Sequence, residues 1–239
     1  MGVTIIRPST HLLYPGSRGV RVSQPGGAAA TPWYLSGGIP AANAIAVYQP
    51  KGASSLLASY DNLAAPGNGL PDGTYDAAPG VAPTFDAATG WTFNGITQYL
   101  TTGITPGTAY SLIIRFSNGP LGGAAQCCVC AARTANFIIA STNGSGNRSF
   151  ANGTSITIAG GELASGVMAI AGTKAYTNGI VETGTFTPAT CNFPLWIGAL
   201  NNATVYAQGF PGKVKAVAIY NVTLDAPTIL AVSTAMAAL

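Results

Sequence analysis

The chain has 239 residues, enough for one large β domain with an extension or for two small domains. Charged residues make up 7% of it and the formal net charge is +3, so it lacks the clustered Lys and Arg residues that nucleic-acid binding requires. Hydrophobic residues reach 48%. However, no apolar run attains the roughly 18 residues of a membrane span, and we expect neither a span nor a secretory signal.

Residues 1–40 predict an extended N-terminal arm, because Pro and Gly interrupt them too often for a core of their own. Apolar islands inside the arm predict that it docks, either on the sandwich of its own chain or on a neighbouring subunit. Residues 1–60 also carry four basic residues and no acid, which is either scatter among few charges or a basic arm facing an acidic surface. The candidate interface residues are Arg7, Leu12, Leu13, Tyr14, Arg18, Arg21, Trp33 and Tyr34.

Residues 41–239 predict a single β domain. Its first part reads as a strand over residues 41–48, a short helix over residues 54–63 and a Gly/Pro/Asp loop over residues 68–83. From Thr84 onward, short strands alternate with turn residues, which favours a two-sheet antiparallel sandwich. The predicted strands cover residues 91–93, 98–101, 110–116, 127–132, 136–140, 155–158, 167–171, 195–198 and 205–208. Asn178-Gly179 predicts a two-residue hairpin turn.

The last strand and a C-terminal helix follow from residues 213–236. Residues 213–220 alternate, which predicts a strand with Val214, Ala216, Ala218 and Tyr220 on one side. Asp225 is suited to cap a short helix that tolerates Pro227 in its first turn. Apolar residues recur at helical spacing from Ile229, so we expect one face of this helix to pack on the sandwich.

Four short stretches in register resemble concanavalin A-like, laminin G-like jelly-roll domains. These are F-N-G followed by Y-L at residues 93–100, K-A-Y-T-N-G at residues 174–179, L-W-I-G at residues 195–198, and the closing strand with its helix. The resemblance covers roughly residues 85–239. It implies an all-β jelly roll of two antiparallel sheets with a short C-terminal helix.

Cys127, Cys128 and Cys130 form one run, and Cys191 lies far from them in sequence. The run lacks the C-x-x-C spacing of a zinc ribbon, and neighbouring cysteines rarely bridge each other. We therefore expect four reduced thiols that fill the core, as in a protein made in a reducing cytoplasm.

Catalytic and metal-binding patterns are sparse. A glycosidase needs two carboxylates about 5 to 10 Å apart, whereas Glu162 and Glu182 occupy separate predicted hairpins. His11 has no acidic residue near it in sequence, and no D-x-D run predicts calcium. We therefore expect no enzyme activity, no metal site and no cofactor. Sugar contact is the remaining binding chemistry, with Trp91, Tyr206 and Asn201 as candidates beside core packing.

The arm and the Ala/Gly/Thr-rich composition resemble structural proteins of tailed bacteriophages, most clearly at residues 47–63 and 81–95. The resemblance implies a non-enzymatic virion component, made in the bacterial cytoplasm, that binds other virion proteins in symmetric copies. A glycan-binding lectin or adhesin on the particle is the alternative, and a glycan hydrolase is a third. The lectin hypothesis predicts exposed aromatic side chains in one concave patch.

Overall fold

The computed structural model describes residues 30–65, 73–122, 127–133 and 136–239. The compact unit begins at Thr31. Its strands are β1 (Ala44–Tyr48), β2 (Ala78–Val81), β3 (Thr84–Asp86), β4 (Gly90–Thr92), β5 (Tyr99–Thr101), β6 (Ser111–Ser117), β7 (Cys127–Arg133), β8 (Phe137–Thr142), β9 (Arg148–Asn152), β10 (Thr154–Ile158), β11 (Gly166–Ala171), β12 (Lys174–Thr177), β13 (Ile180–Val181), β14 (Trp196–Ile197), β15 (Leu200–Asn202), β16 (Val205–Ala207) and β17 (Lys213–Tyr220). One α-helix, α1, spans Ala226–Ala237.

The strands form two antiparallel sheets that face each other, which confirms the predicted sandwich. The first sheet has the order β13-β12-β11-β6-β17-β4-β3, and β1 pairs with the second half of β17. The second sheet has the order β10-β9-β8-β7-β14-β5-β2, with the β15–β16 hairpin attached to β7. The contact between β15 and β7 is parallel. Large apolar side chains from both sheets meet between them, including Trp91, Phe116, Phe137, Phe150 and Phe210.

The strand β17 is buried on both faces, and a bulge divides it. Its register shifts between Val214 and Ala216, so these two side chains do not share a face as the simple alternation predicted. Val214 and Val217 join the core between the sheets. Ala216 and Tyr220 face outward, under α1.

The helix α1 covers the outer face of the first sheet, as its sequence predicted. Asp225 caps it by accepting a hydrogen bond from the Thr228 amide at 3.0 Å, and Pro227 lies in the first turn. Ile229, Val232, Ser233 and Met236 are its buried residues. The small side chains beneath it let the helix lie close to the sheet.

Several predicted elements differ in extent. The helix expected at residues 54–63 is only a 3-10 turn, Ala58–Tyr60. The residues after this turn form hydrogen bonds with other segments and do not continue the helix. Asn62 is fully buried there, and its side chain bonds to the amide of Val47 and the carbonyls of Ile45 and Thr74. The strands β2, β3 and β9 were not predicted, and β2 lies within the loop expected over residues 68–83. Asn178-Gly179 does join β12 to β13, with Tyr176 opposite Val181.

Candidate functional site

The outer face of the second sheet has a floor of small and aliphatic side chains. Cys128, Ala131, Ala140 and Ala151 are buried there together with Ile138 and Leu200. The main contacts of α1 with strands are to β6, β11 and β13, all of which belong to the first sheet. Along the described chain, this is therefore the sheet face that no helix covers.

Three aromatic rings lie together beside this floor, and we call Tyr99, Trp196 and Tyr206 the aromatic platform. Tyr99 stacks on Trp196, with ring centroids 3.9 Å apart and planes 22° apart. Tyr206 lies 6.0 Å from Tyr99 in a tilted arrangement. Both tyrosines are half-buried, whereas Trp196 is only 6% exposed. The two tyrosine rings are therefore the accessible part of the platform.

Strand alternation and one glycine position the platform. Leu100 and Ile197 point into the core, so their neighbours Tyr99 and Trp196 point outward from the paired strands β5 and β14. The Tyr99 ring lies across Gly80 of β2, where a β-carbon would come within 2.0 Å of a ring atom. Only glycine at this position leaves room for the ring.

A polar hollow adjoins the platform. Its volume is about 190 Å³, and its lining residues are Arg133, Asn136, Ile138, Ser155, Leu200 and Gln208. Leu200 of the hollow and Trp196 of the platform both align with Ala131 of β7, so the two features lie side by side on the sheet. A guanidinium, two amides and a hydroxyl thus edge an apolar floor within a short distance of stacked aromatic rings.

The three candidate sugar contacts predicted from sequence have different locations. Tyr206 is on the platform. Trp91 is 0% exposed and donates a hydrogen bond from Nε1 to the Ser59 hydroxyl at 2.7 Å, between Tyr48 and Tyr60. Asn201 is 1% exposed. Its side-chain nitrogen donates a hydrogen bond to the Pro194 carbonyl, and its side-chain oxygen accepts one from the Thr204 backbone amide. In this structure neither Trp91 nor Asn201 is accessible to a sugar.

Of the candidate interface residues, only Trp33 and Tyr34 lie within the described part of the chain. Arg7, Leu12, Leu13, Tyr14, Arg18 and Arg21 lie outside it. Trp33 donates to the Gln49 side chain at 2.7 Å, and the Tyr34 carbonyl accepts from the Tyr220 hydroxyl at 2.8 Å. These two residues pack on the sandwich of their own chain. Their contact with a neighbouring subunit, and the domain boundary at residue 40, stay predictions.

The two glutamates lie near one arginine. Arg148 of β9 forms an ion pair with Glu182 at 2.6 Å and donates to the Gly161 carbonyl at 2.7 Å. Glu162, the next residue, accepts from the Thr142 hydroxyl at 2.8 Å and from the Gly122 amide at 2.7 Å. Each carboxylate is therefore held by donors from other strands or loops.

Cys128, Cys130 and Cys191 are buried. Cys130 and Cys191 belong to the core between the sheets, and Cys128 lies 3.4 Å from the Gln208 side-chain oxygen. Burial raises the pKa of the Cys130 thiol well above its usual range, so this thiol stays protonated. Within residues 30–65, 73–122, 127–133 and 136–239, no group of three or more His, Cys, Asp or Glu side chains is placed to hold a metal ion. That same part of the chain contains no helix of the length and hydrophobicity needed to span a bilayer.

Sequence reasoning missed Tyr99, Gly80 and the polar hollow. The signal for Tyr99 was present in the stretch Q-Y-L-T, since a strand that buries Leu100 must turn Tyr99 outward. No comparable signal existed for the hollow, because its residues come from β7, β8, β10, β15 and the segment after β16. Only the sheet order brings these segments together.

Comparisons with known proteins show the fold. No protein-family model matches the chain, and no curated protein matches it. Among solved structures, a Trypanosoma rangeli sialidase in complex with sialic acid matches with a TM-score of 0.56 at 13% identity over 82% of this chain. The chain spans only 34% of the length of that sialidase. Domain 4 of AbnA, a GH43 extracellular arabinanase from Geobacillus stearothermophilus in complex with arabinotriose, matches with a TM-score of 0.53 at 12% identity, over 80% of this chain and 98% of that domain.

These matches correct two predictions made from sequence. The prediction of a non-enzymatic virion subunit is wrong, because the matching structures described above are glycan-acting proteins, and neither of them is a virion component. The expectation of no enzyme activity is contradicted by the same matches, since both come from enzymes. The β-sandwich itself was predicted correctly.

Proposed function

We propose that this chain is a glycan-binding β-sandwich domain that binds sugar on the outer face of its second sheet. The observation that carries the proposal is the aromatic platform, where Tyr99 stacks on Trp196 at 3.9 Å and Tyr206 lies 6.0 Å from Tyr99. Rings held in this way on a sheet surface present an apolar area to a ligand. The Tyr99 ring can contact the ligand, and the Trp196 ring stacks against it and holds it in place.

The chemistry of the site suits a sugar. The apolar C–H face of a pyranose or furanose packs on an aromatic ring, while its hydroxyl groups need nearby donors and acceptors. Arg133, Asn136, Ser155 and Gln208 supply both kinds of group around the adjoining hollow. The floor between them is buried, so the ligand would contact the tyrosine rings and the polar edge.

Two comparisons support the proposal. The match with the arabinanase domain covers almost the whole of that domain, which was solved with arabinotriose. The matching sialidase was solved with sialic acid. We also propose that the sandwich is of the concanavalin A-like jelly-roll type. The order of the F-N-G, T-N-G and L-W-I-G stretches supports this classification.

A glycan array with the full chain tests the proposal, with arabino-oligosaccharides and sialylated glycans among the immobilised sugars. We expect binding to one class of glycan and at least about a tenfold loss of affinity, ~1.4 kcal/mol, in Tyr99→Ala and in Tyr206→Ala. Tyr75→Ala is the matched control, because Tyr75 is an exposed tyrosine that makes no ring contact with the platform. Assaying the same samples for released reducing sugar shows whether a bound glycan is also cleaved.

Two results would contradict the proposal. One is a folded native chain that binds no glycan on the array. The other is glycan binding that Tyr75→Ala weakens as much as Tyr99→Ala does, since this would place the sugar away from the platform.

A further inference from the structure

Four basic side chains gather on the outer face of the first sheet, on the opposite side of the sandwich from the aromatic platform. They are Lys51, Arg115, Lys213 and Lys215, and we call them the cation cluster. Arg115 lies on β6 opposite Ala216 of β17, and Lys213 lies opposite Ser117. The Lys51 amide donates to the Lys215 carbonyl at 3.4 Å, which brings the fourth residue beside the same strand.

The β17 bulge determines where Lys215 points. The register shift between Val214 and Ala216 leaves Lys215 as the extra residue, next to the outward-facing Ala216. Val214 points into the core, so Lys213, its neighbour on the other side, faces outward as well. The bulge thus gathers two lysines of one strand on the face that already carries Arg115.

Two of the four cations contact carbonyl groups near the C-terminal end of α1. Arg115 donates to the Met236 carbonyl at 2.9 Å, and the Lys51 ammonium donates to the Leu239 carbonyl. The negative end of the helix dipole favours both contacts. No comparable contact involves the ammonium groups of Lys213 and Lys215 within the described part of the chain.

Among the described residues, none of these four cations forms a salt bridge with an Asp or Glu side chain. The salt bridge between Arg148 and Glu182 belongs to other strands. Asp86, on the neighbouring β3–β4 hairpin, accepts hydrogen bonds from the amides of Ala88 and Thr89 in its own turn. Burial, followed by the charges of Arg115, Lys51 and Lys213, holds the pKa of Lys215 below its usual value. The cluster thus carries positive charge that repels itself.

We propose that the cation cluster is a binding site for a tetrahedral oxyanion, a sulfate or phosphate group, with Lys213 and Lys215 as its principal donors. An ion with two negative charges and several acceptor oxygens would relieve the mutual repulsion of the four cations and accept from more than one of them. The half-buried setting strengthens such contacts relative to bulk water. This site is separate from the platform and does not depend on the proposed glycan function.

Thermal unfolding of the full chain tests the site, in sodium sulfate, sodium phosphate and sodium chloride at matched ionic strength. Sulfate and phosphate should raise the Tm above the chloride value, because a ligand that binds only the folded state stabilises it. The double variant Lys213→Gln/Lys215→Gln should lose this difference. Lys174→Gln is the matched control, since Lys174 lies on β12, outside the cluster, and should keep it.

A second readout separates binding from general salt effects. Bound sulfate should raise the pKa of the Lys215 ammonium in an NMR titration, because an anion favours the charged form. Immobilised dextran sulfate and polyphosphate then distinguish the two sources of the oxyanion, with neutral dextran as the blank. Equal Tm values in sulfate and chloride for the native chain would overturn the proposal, and so would a sulfate response that survives in the double variant.

Discussion

The two outer faces of the sandwich are built from similar side chains and are completed in different ways. Under α1, the first sheet presents small residues such as Ala169, Ala216 and Ala218, and the helix covers them. The second sheet presents Cys128, Ala131, Ala140 and Ala151, with stacked aromatic rings and a polar hollow beside them in place of a helix. On the first face, packing of the helix contributes to stability. The second face instead presents groups suited to binding a ligand.

The largest effect expected from this difference is on stability, at the interface of the helix with the first sheet. Ile229 is 0% exposed beneath α1, so Ile229→Ala should lower the free energy of unfolding by about 2–5 kcal/mol. Leu230, its neighbour on the same helix, is 49% exposed. Leu230→Ala should cost less than about 1 kcal/mol. Urea denaturation measures both, and equal losses would show that α1 does not pack as described.

A smaller effect on stability, with a larger one on binding, is expected at Gly80 on the second face. The new methyl group of Gly80→Ala must displace the Tyr99 ring, so the stack on Trp196 is lost at a cost of about 0.5–1.5 kcal/mol. Glycan affinity should fall as it does in Tyr99→Ala. Gly107→Ala is the control, because a β-carbon there meets Tyr110 at an ordinary 3.4 Å. Unchanged glycan affinity in Gly80→Ala would argue against the platform.

The sequence predicted those features of the two faces that depend on residues close together in the chain. The helix, its Asp225 cap and the length of β17 followed from the pattern of residues 213–236, because caps and periodicity are local. The faces of β17 did not, since a bulge between Val214 and Ala216 leaves no mark in the alternation. Trp91 was a candidate sugar contact by residue type, but the pairing of β4 with β17 and β3 places it in the core.

A smaller effect, in the opposite direction, is expected at Lys215. Its pKa is lowered in the folded state from 10.5, so the folded protein holds this proton less tightly than the unfolded chain does. The resulting loss of stability is fully present below the folded pKa and disappears as the pH rises toward 10.5. Lys215→Gln should therefore be more stable than the native chain at neutral pH, with the gap closing in alkali. A gap that stays constant in denaturation series across this range would contradict the lowered pKa of Lys215.

The smallest effect is expected at the exposed cap of α1. Hydrogen bonds from the Thr228 side chain and amide lower the pKa of Asp225 from 3.8. The capping charge therefore contributes stability above that value, and the contribution is lost as the pH falls through the folded pKa. Asp225→Asn should show a shallower fall in Tm with acid than the native chain. Parallel Tm curves for the two proteins would show that the charge of Asp225 adds nothing to the cap.

The three tryptophans allow sugar binding on the second face to be tested within one sample. Trp196 lies in the platform, Trp91 in the core and Trp33 beside α1. We would follow their indole N–H resonances in an NMR titration of the full chain with the glycan selected on the array. We expect the Trp196 resonance to shift while those of Trp33 and Trp91 stay in place. A shift at Trp33 or Trp91 with Trp196 unmoved would contradict this expectation.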